Sequence, residues 1–254
     1  MPYFQRILAD KFNPVRDRPK KIGLLFGARQ TGKTTLLREL TQSFNCFNLN
    51  LQDRRLRRRY ETDEGLLLRE LQGRTDIDAV FIDEIQKVPA LLDDIQLLYD
   101  EDPERYLFLL TGSSARQLRR GSATLLPGRS HQHILSPTLQ AEQRPTSLLP
   151  LDMPTGPTFP RRSLESYLLH GNLPGFYGEE LSSWQQTLET YVDLYIENEI
   201  RQENIVRDMG AFARFLRLAA LEAGQAVNYA KMADAIGVAV NTLRNFYQVL
   251  EDPF

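Results

Sequence analysis

The chain has 254 residues, room for one large domain or two smaller ones. Its 31 Lys and Arg against 33 Asp and Glu leave a formal charge of −2, which excludes a protein that coats nucleic acid through bulk charge but not a local basic patch. The single cysteine, Cys46, excludes an intrachain disulfide and fits a reducing compartment.

The first residues, MPYFQRILADKFNPV, contain no apolar core of signal-peptide length. No run approaches the roughly 20 apolar residues that cross a bilayer. The expectation is a cytoplasmic protein with no membrane partner. Tyr3, Ile7, Leu8 and Phe12 fall on one face of a short helix, which Asn13 and Pro14 end.

Residues 22–26, IGLLF, read as a buried strand, and 32–44 as the first long helix. Between them GARQTGKT, from Gly27 to Thr34, fits G-x-x-x-x-G-K-[ST] without a gap. Glycines let the backbone turn so that several N–H groups aim at one anion, and the helix adds its positive amino end. Gly27, Ala28, Arg29, Gln30, Thr31, Gly32, Lys33, Thr34 and Thr35 are therefore the candidate nucleotide-binding residues. Lys33 supplies a mobile charge for the outer phosphates of ATP, and the Thr34 hydroxyl is a candidate ligand for Mg²⁺. A chance strand–turn–helix is the competing reading; apolar runs on both sides weigh against it.

Residues 46–51 alternate loosely, as a second strand would. Five of the six residues from Arg54 to Arg59 are arginine. They read either as a nucleic-acid patch or as a solvated helix face, with Leu56 and Tyr60 packing inward. The second reading is favoured, since Arg57–Glu61 and Arg59–Asp63 stand at i,i+4.

DAVFIDE, at 78–84, runs four apolar residues straight into two acids. Such a run suits a strand buried on both faces of a parallel sheet, with the acids at the ligand-binding end. Asp83 is then the second candidate Mg²⁺ ligand, and Glu84 the group that polarises an attacking water. Alternatively both acids cap the next helix. Residues 105–110 form a fourth apolar run, which ends in TGSS. Thr111 and Ser113 are candidates to contact the terminal phosphate or its water, or else serve as helix caps. LPGR at 126–129 is a loop, and 130–135 a fifth strand. His131 and His133 lack a third ligand in reach and read as structural.

Five prolines within residues 144–160 mark a linker, so the expected domains are 1–143, then a helical lid or connector at 161–208, then 209–254. Leu188, Tyr191, Val192, Tyr195, Ile196 and Ile200 suggest a long amphipathic helix. Residues 229–236, Gly237 and 241–250 read as helix, turn, helix. Asn241, Thr242, Arg244, Asn245 and Gln248 would face DNA if this helix-turn-helix reads a groove; the alternative is a packing module. No hairpin comes after it to make a wing.

With these motifs in place the chain resembles the AAA+ superfamily of P-loop ATPases. More closely, it is similar to a bacterial and archaeal group of uncharacterised ATP-binding proteins. GARQTGKTTLL resembles their phosphate loop (Walker A), VFIDEIQKVP their acidic motif (Walker B), and LLTGSSARQL their sensor strand. LPGRSHQHILSPT resembles the arginine-bearing loop and last strand. GNLPGFY and YVDLYIENEIRQ resemble the start of the group's carboxyl-terminal region of unknown function. The resemblance implies an α/β fold: a five-stranded parallel sheet in order 5-1-4-3-2, flanked by helices, then a helical region with a winged-helix-like module. It implies relatives that continue into a wing and a nuclease-like domain, and an arginine in the 126–129 loop. Arg129 is thus the candidate finger for the γ-phosphate of a neighbouring subunit in a homo-oligomer, on a loop expected near the nucleotide edge; Arg119 and Arg120 are reserves. No arginine after Pro160 matches a second sensor. The expected activity is Mg²⁺-dependent ATP hydrolysis that moves the helix-turn-helix domain. Its rivals are an ATP-gated DNA- or protein-binding switch with negligible turnover, and a small-molecule kinase, against which Glu84 speaks.

Overall fold

The computed structural model describes residues 3–12, 20–113, 118, 126–143, 156–178, 183–196, 206 and 208–251. Their backbone separates into two units, Met1–Glu180 and Leu181–Phe254.

In the first unit, α1 (Ile7–Lys11) precedes β1 (Ile22–Phe26), α2 (Lys33–Leu40) and β2 (Cys46–Asn50). Next come α3 (Arg54–Thr62), α4 (Leu66–Gln72), β3 (Ala79–Asp83), a 3₁₀ turn at Ile85–Lys87 and α5 (Leu91–Glu101). β4 (Leu107–Gly112), β5 (Ser130–Ile134) and α6 (Leu164–His170) complete it. The five strands lie in the order β2-β3-β4-β1-β5, every pair parallel, as the resemblance implies.

Alternation along the strands sends side chains to opposite faces. Leu24, Val80, Ile82, Phe108 and Leu110 pack with Tyr60, Leu67, Leu71, Ile95 and Leu98 of α3, α4 and α5. Leu25, Phe81, Leu107 and Leu109 pack instead with Phe12 beside α1 and with Leu36 and Leu37 of α2. Both faces of the central strands are covered, which is why β1, β3 and β4 read as unbroken apolar runs. β5 is an edge strand with an exposed pattern, and His133 there meets the Phe12 ring edge to face at 5.0 Å, a packing role.

Several boundaries differ from expectation. α2 stops at Leu40, short of the expected residue 44; beyond it Gln42 N and Phe44 N bond to Glu39 O and Thr41 O, an i−3 pattern that tightens the end of the helix. Arg59 pairs with Glu70 and Asp63 with Arg69, so the expected Arg59–Asp63 pair is absent, whereas Arg57–Glu61 forms at 3.7 Å. Much of the proline-rich 144–160 segment lies outside the described residues. Residues 161–178, expected to open a separate connector, fall within the first unit. Asn172 donates to Thr138 O, Gln143 donates to the Tyr177 hydroxyl at 2.9 Å, and Phe159 and Phe176 are buried.

The second unit holds α7 (Trp184–Thr190), a wide π turn at Tyr191–Ile196, α8 (Met209–Leu221), α9 (Tyr229–Ile236) and α10 (Val240–Glu251). The expected long helix therefore changes its winding at Tyr191, and Ile200 lies outside the described residues. α8, α9 and α10 close around Phe212, Phe215, Met232, Ile236, Leu243 and Phe246. Asp208 and Asn228 cap α8 and α9, accepting from Ala211 N and Lys231 N at 2.9 and 3.0 Å. Among the described residues no helix is long and apolar enough to cross a membrane.

One buried ion pair ties the amino terminus to the segment after β5. Arg6 Nε donates to Glu142 Oε1 at 2.9 Å, and the same carboxylate accepts from Ile7 N and Leu139 N, each at 2.9 Å. Arg6 also donates to Thr31 O at 2.6 Å and to Ser136 O at 2.7 Å. Both side chains are almost wholly buried, at 5% and 1% exposure. Glu142→Ala strands a buried guanidinium, so urea denaturation should register a loss of about 3–5 kcal/mol. A loss below about 1 kcal/mol would show the pair to be dispensable.

Candidate nucleotide-binding site

Parallel pairing brings the carboxyl ends of β1, β3 and β4 to one edge of the sheet. Leu25 aligns with Thr111 and Phe26 with Gly112, while Ile82 aligns with Leu110. The glycine-rich loop leaves β1 at that edge. Gly27 passes so close to Leu135 O that a Cβ there would collide with backbone. Gly32 sits at φ 93° as the N-cap of α2, a left-handed conformation that a side chain strains. From Gly32 the chain turns directly into α2, so the free N–H groups of the first helical turn point out of the loop.

Lys33 is folded against the loop, its ammonium donating to Gly27 O at 2.7 Å and Ala28 O at 2.8 Å. The Thr31 hydroxyl donates to Ala28 O at 2.9 Å, and Arg6 grips Thr31 O from behind. The loop is thereby braced on both sides. Ala28, Thr31 and Lys33 are buried, Thr34 and Arg29 half-buried, and Gln30 and Thr35 exposed.

Asp83, at the end of β3, accepts from two hydroxyls. Thr34 Oγ1 lies 3.0 Å from Oδ2, and Thr111 Oγ1 lies 2.5 Å from Oδ1. Thr111 in turn accepts from Glu84 N at 3.1 Å. One buried threonine thus joins the sensor strand to both acids. Glu84 adopts φ 62°, ψ 48°. A non-glycine residue held there costs on the order of 1–3 kcal/mol, a strain that clusters at functional sites. The acids do not cap the next helix: α5 begins at Leu91 with Ala90 as its N-cap, and Glu84 makes no side-chain cap bond.

Gln86 is a residue that motif reading missed. Its Nε2 donates to Glu84 Oε2 and, at 2.9 Å, to Ser113 Oγ. The amide is buried, and its Oε1 has no partner among the described residues. A glutamine two residues past the acids carries no separate signal in sequence; only the 3₁₀ turn swings it back toward β4. Arg6 and Glu142 were equally hidden, being 136 residues apart.

Lys87 lies at the same edge. Burial pushes its ammonium below the ordinary lysine range, against an opposing pull from Glu84, and the positive Arg29 and Arg57 add to the depression.

Arg129 is not at this edge, which corrects the expected placement of its loop. It immediately precedes β5, whose Ser130 aligns with Ile22, the first residue of β1. The loop of Gly27 comes after the last residue of β1, so a strand of about 16 Å lies between them. Arg129 instead forks onto Asp100 of α5, with Nε–Oδ1 2.5 Å and Nη2–Oδ2 2.8 Å. That bidentate pairing holds the Asp100 carboxyl below its usual range, chiefly through the Arg129 hydrogen bond. The reserves Arg119 and Arg120 lie outside the described residues. No cluster of three metal-ligating side chains occurs among the described residues, and none joins His131 and His133. In the second unit, Asn241, Arg244, Asn245 and Gln248 are exposed on α10 and Thr242 half-exposed, while Leu243, Phe246 and Val249 turn inward.

A braced glycine loop opening a helix, beside an acid-terminated central strand of a parallel sheet, defines a P-loop nucleotide-binding fold. Known proteins with the same features agree. Residues 19–143 match the AAA domain family, and residues 161–254 match a domain of unknown function (DUF8612). Uncharacterized proteins of Mycobacterium tuberculosis and Mycobacterium bovis are each 25% identical over 233 residues, covering 90% of this chain and 47% of the relative. The chain therefore spans about half the length of the curated relatives it matches. The Walker-type ATPase PABY2304 of Pyrococcus abyssi superposes with a TM-score of 0.62 at 15% identity, over 98% of this chain and 89% of that one, a likeness of fold. Residues 19–143, which carry the glycine-rich loop and both acids, are thus similar to an AAA domain, and the sheet shares the fold of a Walker-type ATPase.

Proposed function

We propose that the chain binds ATP with Mg²⁺ in the loop from Gly27 to Thr35 and hydrolyses it. The supporting observation is the hydrogen-bonded chain Thr34–Asp83–Thr111–Glu84, which gathers the side chains the reaction needs on one edge. Lys33 leaves Gly27 O and Ala28 O for the outer phosphates, where its charge offsets theirs. The Thr34 hydroxyl and the Asp83 carboxylate are hard oxygen donors already within 3.0 Å of each other, a set that suits Mg²⁺. Bound there, Mg²⁺ would neutralise charge on the β- and γ-phosphates.

Glu84 takes a proton from the attacking water as the water oxygen bonds to the γ-phosphorus and the bond to the β–γ bridging oxygen breaks. ADP and inorganic phosphate leave. Gln86 orients the Glu84 carboxylate, and Ser113 orients Gln86. Ser113 and Thr111 thus act at the terminal phosphate through the acids.

Arg129, remote from its own loop, contributes to the γ-phosphate only through a second copy of the chain. It would have to leave Asp100 to do so, an exposed pair of small cost. The output of the cycle is assigned to the second unit, whose α10 turns Asn241, Arg244, Asn245 and Gln248 to solvent. That polar face supports a second reading, a DNA-binding switch gated by ATP.

Steady-state phosphate release tests the first reading. Lys33→Ala should abolish turnover and weaken ATP binding, and Glu84→Gln should keep binding while slowing turnover ~10²–10⁴-fold. Wild-type rates in both would sink the assignment. Arg129→Ala alone should be slow, and mixing it with Lys33→Ala should restore activity by pairing one good loop with one good arginine. No recovery in demonstrably mixed oligomers removes the finger. Arg244→Ala should weaken duplex DNA binding and shallow its salt dependence by about one unit. Absence of duplex binding by the wild type at low salt leaves α10 as a packing element.

A further inference from the structure

The arginine run stands where β2 ends. Asp53 caps α3, its carboxylate accepting from Arg55 N at 2.7 Å, and the helix starts one turn past Leu51. Leu51 N bonds to Asp83 O at 3.1 Å, so α3 rises from the same sheet edge as the acids. Leu56 and Tyr60 hold it down: Tyr60 is buried and its hydroxyl donates to Glu70 at 2.5 Å.

At 100° per residue, Arg54, Arg55, Arg58 and Arg59 share the opposite, solvent face. All four are exposed. Among the described residues only Arg59 on that face has an acid, Glu70, and Arg57 at its flank has Glu61. Among the described residues no ion pair or hydrogen bond engages the guanidiniums of Arg54, Arg55 and Arg58. In an isolated solvated face such charges repel at i,i+3 and i,i+4, each pair destabilising the helix by a few tenths of a kcal/mol. In a chain of net charge −2 this concentration is local, and it is built from arginine alone, with no lysine between 54 and 59.

We propose that Arg54, Arg55 and Arg58 of α3, in the first unit, bind the phosphodiester backbone of a nucleic acid. The guanidinium forks onto phosphate oxygens and spends less ordering entropy per bond than an ammonium. Side chains at i,i+3 and i,i+4 stand about 5–6 Å apart, so the three present a cluster rather than a point. A membrane surface fits less well: an interfacial helix inserts its apolar face, and here Leu56 and Tyr60 are committed to the core. Contacts of this kind carry no base sequence. The inference does not depend on hydrolysis.

Fluorescence anisotropy with single-stranded and duplex oligonucleotides of mixed sequence, from 50 to 200 mM salt, tests it. Wild-type protein should bind. Arg54→Gln/Arg55→Gln/Arg58→Gln should flatten the plot of log K against log salt by about two units or slightly more, and weaken binding at least about tenfold at low salt. Nucleotide affinity and thermal midpoint should stay as in the wild type. If the triple variant is unstable, Arg58→Gln alone should still lower the slope by about 0.7–0.9. Arg244→Ala, run alongside, separates this surface from α10. The proposal is overturned by any of three results: no wild-type binding at 50 mM salt, an unchanged slope in the triple variant, or binding to anionic phosphatidylserine vesicles but to no oligonucleotide.

Discussion

Parallel strand pairing is the constraint on which the rest depends. A parallel ladder lets each strand end on the same edge, and the connecting segment must return to the opposite edge before the next begins. Phe26, Asp83 and Gly112 therefore finish together although they are scattered over the chain. The glycine loop, the turn at Glu84 and the residues after Thr111 each leave a strand at that edge, and so all three are delivered to one place. The same rule keeps Arg129 away from it, because that residue enters its strand rather than leaving it.

Holding the edge in shape takes polar bonds as well as apolar burial. Thr111 is the meeting point: it donates to Asp83 and accepts from the Glu84 amide, so β4 is tied to the end of β3. The left-handed backbone at Glu84 is strained in isolation, and that hydrogen bond is one contact that fixes it. Behind the loop, Arg6 and Glu142 brace Thr31 from outside the sheet. A change in loop conformation would be felt at Arg6, and through Glu142 at the backbone of Ile7 and Leu139.

Charge is distributed by position. The exposed arginines of α3 and the half-buried Lys87 and Arg29 lie on or beside the carboxyl edge, while Arg129 and Asp100 neutralise each other at the other end. A nearly neutral chain can thus present a positively charged surface next to the glycine-rich loop.

The phosphate loop, the acid pair and all five strands were legible in the residues themselves, because each rests on a short-range rule: glycine where φ is positive, apolar runs where both faces are covered, acids where a strand ends. The order of the strands came from resemblance to a family, not from any local pattern. Tertiary structure alone decided what depends on distant partners. It turned Gln86 back onto Glu84 and Ser113, joined Arg6 to a carboxylate 136 residues away, and gave Arg59 and Asp63 different partners from each other. It also set Arg129 at the far edge and drew residues 161–178 into the first unit. Sequence determines which groups exist and their local conformation; which of them meet is settled by the path of the backbone between them, and no local spacing encodes it.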